Sequence, residues 1–204
     1  AVSRSSVTLL DGATVRDNKA VAKGGGLALE GSSIVTRGSK IVNNTAKKGG
    51  GICAEAQSKM VLSEETVLEG NSATLGGGGG LTIDESSFEC RNSSISNNFG
   101  VRYGGGVHLS QHSRALLKDC VLHRNQVRCG CSDSVRCSDF VCGGGGIAAG
   151  GTAFVSLEHG TSLVGNTCEQ SSQEQGYGGA ILLYGRASMN INMSLLDSNR
   201  AGGD

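Results

Sequence analysis

The stretch 43–53, NNTAKKGGGIC, returns in altered form along the chain. Residues 97–107 read NNFGVRYGGGV, and GNTCEQ at 165–170 is followed after a gap by GGAIL at 178–182. An asparagine followed by a glycine run has two physical readings. A phosphate cradle needs one glycine loop that opens a helix and carries a Lys-Ser/Thr pair. A structural corner needs the same run many times over. Here the run occurs six times and leads each time into a short alternating segment: LALE, ICAE, LTID, VHLS, IAAG and ILLY. The motif is structural.

The asparagines serve as a ruler. Asn18, Asn44, Asn71, Asn98, Asn125, Asn166 and Asn199 are separated by 26, 27, 27, 27, 41 and 33 residues. Three residues before each stands an aliphatic: Val15, Ile41, Leu68, Ile95, Leu122, Leu163 and Leu196. Two residues after come mostly small ones: Ala20, Ala46, Ala73, Gly100, Val127, Cys168 and Ala201. The glycines and a further aliphatic (Leu27, Ile52, Leu81, Val107, Ile147, Ile181) complete the unit. Seven aligned units, four of the six spacings being 26 or 27 residues, specify a repeat architecture.

Two more apolar stretches follow each glycine-led segment, and all are short with a period of two, which excludes helices. Leucine-rich repeats need an LxxLxL signature that is absent, and ankyrin or tetratricopeptide repeats need helices. The sequence therefore predicts an all-β, right-handed parallel β-helix: a solenoid of about seven coils of ~26–27 residues, each with three short strands. Stacked asparagine amides are expected to hydrogen-bond along a corner ladder, and glycine to supply φ > 0 at the next corner.

Composition agrees. Among 204 residues there are 34 glycines, no proline and no tryptophan. Proline removes a ladder N–H, so closely stacked strands leave it little room. The formal charge is zero, from 18 basic and 18 acidic residues, which gives no basis for a nucleic-acid partner. No apolar run reaches the roughly 20 residues of a membrane-spanning segment. The sequence starts within a coil (SSVTLLDGATVRDN), carries no visible leader and stops at AGGD. Residues 1–204 are thus expected to form one β-helix segment internal to a longer chain.

The pairing of xxN with GGA[IVL], as at Leu196–Asn199 and Gly178–Ile181, resembles the repeats of chlamydial polymorphic membrane proteins, and NNTAKKGGGI is especially similar to them. Similar glycine-rich repeats occur in large secreted proteins of protists and algae. The resemblance implies a β-helical passenger at a cell surface, acting in adhesion.

Two interruptions stand out. QVRCGCSDSVRCSDFVC and the glycine after it (126–143), and TCEQSSQEQGY (167–177), both lengthen the segment between asparagine and glycines. Both therefore leave the same corner of neighbouring coils, a place where binding resides on rigid scaffolds. Cys129, Cys131, Cys137 and Cys142 do not have the paired spacing of a zinc site, so disulfides in an oxidising compartment are expected, with Cys168 able to join them. Cys53, Cys90 and Cys120 lie in the coils, where at least two are expected as buried free thiols. Sequons at Asn43, Asn92 and Asn192 fit a secreted glycoprotein, and none uses a ladder asparagine.

Alignment on the glycine-led segments puts Glu30, Glu55 and Asp84 in one row, continued by Ser110, Gly150 and Tyr184. Such a row splays into water, pairs with lysines such as Lys40 or Lys59, or holds a hard cation such as Ca²⁺. His108 and His112 are candidate bases beside it, with Arg114 nearby. The leading expectation is a non-catalytic extracellular rod, structural or adhesive, of the kind that builds a surface fibre or appendage. Its partners would be other subunits, copies of itself or a cell-surface ligand, with no cofactor other than calcium on the Glu30, Glu55 and Asp84 row. The alternative is a secreted carbohydrate-active enzyme of lyase, hydrolase or epimerase type, with Glu30, Glu55, Asp84 and His108 as its catalytic groups.

Overall fold

The computed structural model describes residues 5–129, 141–169 and 176–202. One coil shows how the sequence winds. After Gly49–Gly51 the chain forms strand Ile52–Glu55, then Lys59–Ser63, Val67–Glu69 and the two-residue Ser72–Ala73. Each pairs in parallel with its equivalent one coil away, and no helix occurs among the described residues. Among the described residues four stacked sheets result, of seven, seven, six and six strands, with a two-stranded fifth formed by Cys142–Gly143 and Gly176–Tyr177. The sequence predicts three strands per coil. The fourth row, beginning just after each ladder asparagine, consists of strands only two or three residues long, such as Thr45–Ala46 and Gln126–Arg128, too short to show a period.

Alternation sends one side of every strand inward. Ile34, Met60, Phe88, Ala115 and Val155 stack in one row, and Ile41, Leu68, Ile95, Leu122 and Leu163 in another, all buried. The polar corner beside the second row is saturated by asparagine. The Asn71 amide donates to Asn98 Oδ1 at 3.0 Å and back to the Ile41 carbonyl at 2.9 Å. Its Oδ1 accepts from the backbone N–H of Asn44 at 2.9 Å and from the Asn44 amide at 3.0 Å. The same four bonds recur at Asn44, Asn98, Asn125 and Asn166, which are fully buried, and the ladder runs from Asn18 to Asn199.

The residue before every ladder asparagine has positive φ: Asp17, Asn43, Gly70, Asn97, Arg124, Gly165 and Ser198. That left-handed residue turns the chain so that the amide points inward. In the glycine run, only the first residue of Gly49–Gly51 uses positive φ (59°). Gly50 is glycine for want of space, since a Cβ there would lie 2.5 Å from the Gly79 carbonyl oxygen.

A second, serine ladder braces another corner. Ser32 N–H donates to Ser58 Oγ, Ser58 N–H to Ser86 Oγ, and Ser86 N–H to Ser113 Oγ, at 3.0–3.4 Å. Cys90 and Cys120 are not the buried free thiols expected. They form a disulfide across adjacent coils, separated by 30 residues. Strand register places Cys90 opposite Leu117 rather than Cys120, so simple alignment does not reveal the pair. Cys53 is a buried thiol, pushed up to about 12 by burial and by Glu55.

Replacing Asn98 by Ala leaves the Asn71 N–H, one Asn71 amide hydrogen and the Leu68 carbonyl without their partner. At about 1–3 kcal/mol for each of these three buried unsatisfied groups, the loss should be about 3–9 kcal/mol in denaturant titration, against less than about 1 kcal/mol for Asn18→Ala at the exposed end. Opening the Cys90–Cys120 bond with Cys90→Ser and Cys120→Ser should cost about 3–4 kcal/mol on the chain-entropy model, read from the same titration.

Candidate functional site

The outer face of the six-stranded sheet that follows the glycine runs is covered rather than open. Cys53, Thr82, His108, Ala148 and Leu182 point outward in one row and are all buried. Over Thr82 and His108 the cover comes from segments between asparagine and glycine, with Leu75–Gly77, Arg102 and Tyr103 beside them. Where this cover is incomplete, a cleft of about 280 Å³ remains. Thr82, Asp84, His108 and Ser110 form part of its lining, together with Leu75–Gly77, Arg102 and Tyr103 and, toward solvent, Lys48 and Glu55.

His108 organises the cleft. It is 92 % buried, and its Nε2 lies 2.9 Å from the Tyr184 hydroxyl. The Tyr103 ring stacks on both, with centroids 5.1 Å from each. Tyr184 reaches His108 from two coils away by lying flat over Gly150, where a Cβ would sit 2.1 Å from its ring. His108 Nδ1 has no hydrogen-bond partner. It faces the corner made by Gly77 and Thr82, since a Cβ on Gly77 would be 3.4 Å from Nδ1 and 2.7 Å from Thr82 Oγ1. Burial, joined by Lys48 and opposed by Asp84, lowers the imidazole to about 4, so it is neutral at physiological pH. Burial, then Tyr103 and Asp84, raise the Tyr184 phenol. The cleft thus offers an uncharged imidazole nitrogen, a carboxylate, a hydroxyl and an aromatic wall, with a cation at its mouth.

The acidic row divides. Glu30 and Glu55 are register neighbours, but Glu30 is exposed. Glu55 pairs with Lys23 from the preceding corner, not with Lys40 or Lys59, and this contact raises the lysine. Asp84 accepts from Ser110 Oγ at 2.7 Å. The three carboxylates do not converge as a cation site would require. Among the described residues the one trio of potential metal-ligating atoms within 4.8 Å of one another is Cys129, Cys142 and Cys168.

His112 is exposed in a turn, and Arg114 lines a separate groove of about 480 Å³ on the neighbouring sheet, with Lys59, Glu89 and Phe154. The structure therefore brings together Asp84, Glu55 and His108 and excludes Glu30, His112 and Arg114. Sequence reasoning missed Tyr103 and Tyr184 as partners of His108. Tyr184 was visible as the last member of the acidic row, and Gly150 beside it was the signal that something must lie across that position.

The insertions begin and end side by side. Gln126–Arg128 pairs with Thr167–Glu169, and Cys142–Gly143 with Gly176–Tyr177. Cys129 is bonded to Cys142, and Cys168 is a thiol. Cys131 and Cys137 lie outside the described residues. Asn43, Asn92 and Asn192 are all exposed.

Protonation of His108 gives a testable pH dependence. Its folded value is depressed, so from about pH 6.5 down to about 4 the unfolded chain binds a proton that the folded chain does not. Stability contributed by the neutral state is present above that window and falls by up to about 1.4 kcal/mol per pH unit through it. Denaturation of the native protein and of His108→Gln should differ by a constant above pH 7 and by a changing amount between 6.5 and 4. Gly150→Ala should displace Tyr184 from His108 and open the imidazole to solvent, moving its NMR titration midpoint up from about 4 toward the ordinary histidine value.

The sequence matches, over residues 1–204, the family model described as "Right handed beta helix region". No curated protein and no solved structure matches it. The coil register, the parallel sheets and a match spanning the whole chain agree: this protein belongs to the right-handed β-helix family.

Proposed function

We propose that the chain is a non-catalytic extracellular rod, adhesive in role, that holds a cell-surface glycan in the cleft beside the glycine corner. The observation that carries this reading is the preformed recess in which His108 Nδ1 is buried without a partner. A buried, unpaired polar atom is costly unless something binds it. The lining suits a hydroxyl-rich ligand about one sugar residue across. Asp84 and Ser110 take its hydroxyl hydrogens, Tyr103 supplies an apolar wall, and Lys48 faces an anionic substituent. Two disulfides favour an oxidising compartment. The likeness of the repeats to those of chlamydial surface adhesins supports the same role, and the neighbouring corner insertions offer contacts to further subunits or copies of the chain.

A second reading has its own support. A neutral histidine near a carboxylate is the arrangement of a general base, so a secreted carbohydrate-active enzyme remains the alternative.

Binding to a panel of neutral and uronate oligosaccharides, followed by calorimetry, separates the two. Saturable binding weakened at least tenfold by Asp84→Asn, with the glycan recovered intact, is the expected result. Release of reducing ends or unsaturated products, lost in His108→Gln, would replace the adhesive reading by the enzymatic one. No binding to any glycan would remove both.

A further inference from the structure

Three sulfur atoms meet where the two insertions leave the rod. Cys129 follows strand Gln126–Arg128, Cys142 opens the returning strand Cys142–Gly143, and Cys168 sits mid-strand opposite Val127. Cys129 and Cys142 are bonded, and the Cys168 sulfur lies 3.5 Å from that of Cys129. With Val127 they form a small apolar cluster of their own, each cysteine at most 2 % exposed. Gly176 closes it, since a Cβ there would be 2.8 Å from the Cys168 sulfur. A thiol is thus held against a disulfide sulfur with solvent shut out.

We infer that this trio is a thiol–disulfide exchange site, in which the Cys168 thiolate attacks Cys129 Sγ and expels Cys142. The Cys129–Cys168 bond forms as the Cys129–Cys142 bond breaks, and Cys142 takes up the proton that Cys168 gave away. One S–S bond replaces another, so no oxidant or reductant is consumed. Contact between the sulfurs replaces a bimolecular encounter, but all three lie within 4.8 Å of one another, so the Cys168 side chain must swing into line with the Cys129–Cys142 bond before it attacks. The covalent topology changes with the exchange. The first bond closes a segment within one coil, separated by 13 residues. The second joins successive coils and frees the far end of the first insertion. This inference is independent of what the cleft binds.

Rate is governed by the thiolate. Burial pushes the Cys168 thiol up to about 11, opposed by a hydrogen bond from the Tyr177 backbone. Exchange is therefore slow at neutral pH and should accelerate about tenfold per pH unit below that value. Three sulfurs that merely pack together show no such dependence.

The full chain, purified from an oxidising compartment, is incubated at pH 7 to 10 and quenched in acid. It is then alkylated with a maleimide under denaturing acid conditions and mapped by mass spectrometry without reduction. Both linkages are expected, with Cys142 and Cys168 labelled in reciprocal proportion and a tenfold faster approach to the final ratio per pH unit. Cys168→Ser should hold the bond at Cys129–Cys142 throughout. A native chain in which Cys129–Cys142 is the sole linkage within this trio at every pH overturns the proposal, as does Cys168 found bonded to Cys131 or Cys137. Scrambling that persists in Cys168→Ser overturns it as well.

Discussion

Everything in this molecule depends on one hydrogen-bonding unit, an asparagine side chain that accepts twice from the coil before it and donates once to each side. Turning a strand through a sharp corner leaves backbone groups facing the interior, where an unpaired carbonyl or N–H is expensive. The Asn98 amide satisfies the Leu68 carbonyl, the backbone of Asn71 and both neighbouring amides at once. Because the unit is complete only with a coil on each side, it favours identical stacking. The aliphatic three residues earlier and the left-handed residue just before are the conditions for its side chain to point inward.

With the corners fixed, the covered face of the six-stranded sheet becomes a place where irregularity has consequences. A regular row there carries small or apolar residues, such as Cys53, Ala148 and Leu182. His108 breaks the row with a polar ring, and three other coils accommodate it: Gly150 makes room, Tyr184 bonds to Nε2, and Gly77 leaves Nδ1 unfilled. Rigid ladders above and below hold these groups in place, so the recess is preformed and little ordering is needed when a ligand enters.

The sequence exposed what repeats and hid what does not. The seven asparagines, the buried aliphatics and the glycine runs were legible because each recurs at one spacing. The serine ladder recurs too, at Ser32, Ser58, Ser86 and Ser113, but serine is so frequent here that its phase carried no contrast. The Cys90–Cys120 bond joins positions out of register, and Tyr184 reaches His108 across 76 residues of sequence. The Glu55 partner, Lys23, comes from a corner rather than from an adjacent strand. In each case the contact depends on side-chain reach between coils, which a one-dimensional alignment does not contain.

The interstrand hydrogen bonds all run along the rod axis, and this gives the Cys90–Cys120 bond a mechanical meaning. A pull along the axis loads every row of one coil interface together, so an interface resists as a block and fails as a block. The interface that carries this disulfide cannot part while the bond is intact. Under shear the rod would therefore yield at an uncrosslinked coil boundary, leaving the coils that build the floor of the His108 cleft fastened together on either side of the bond.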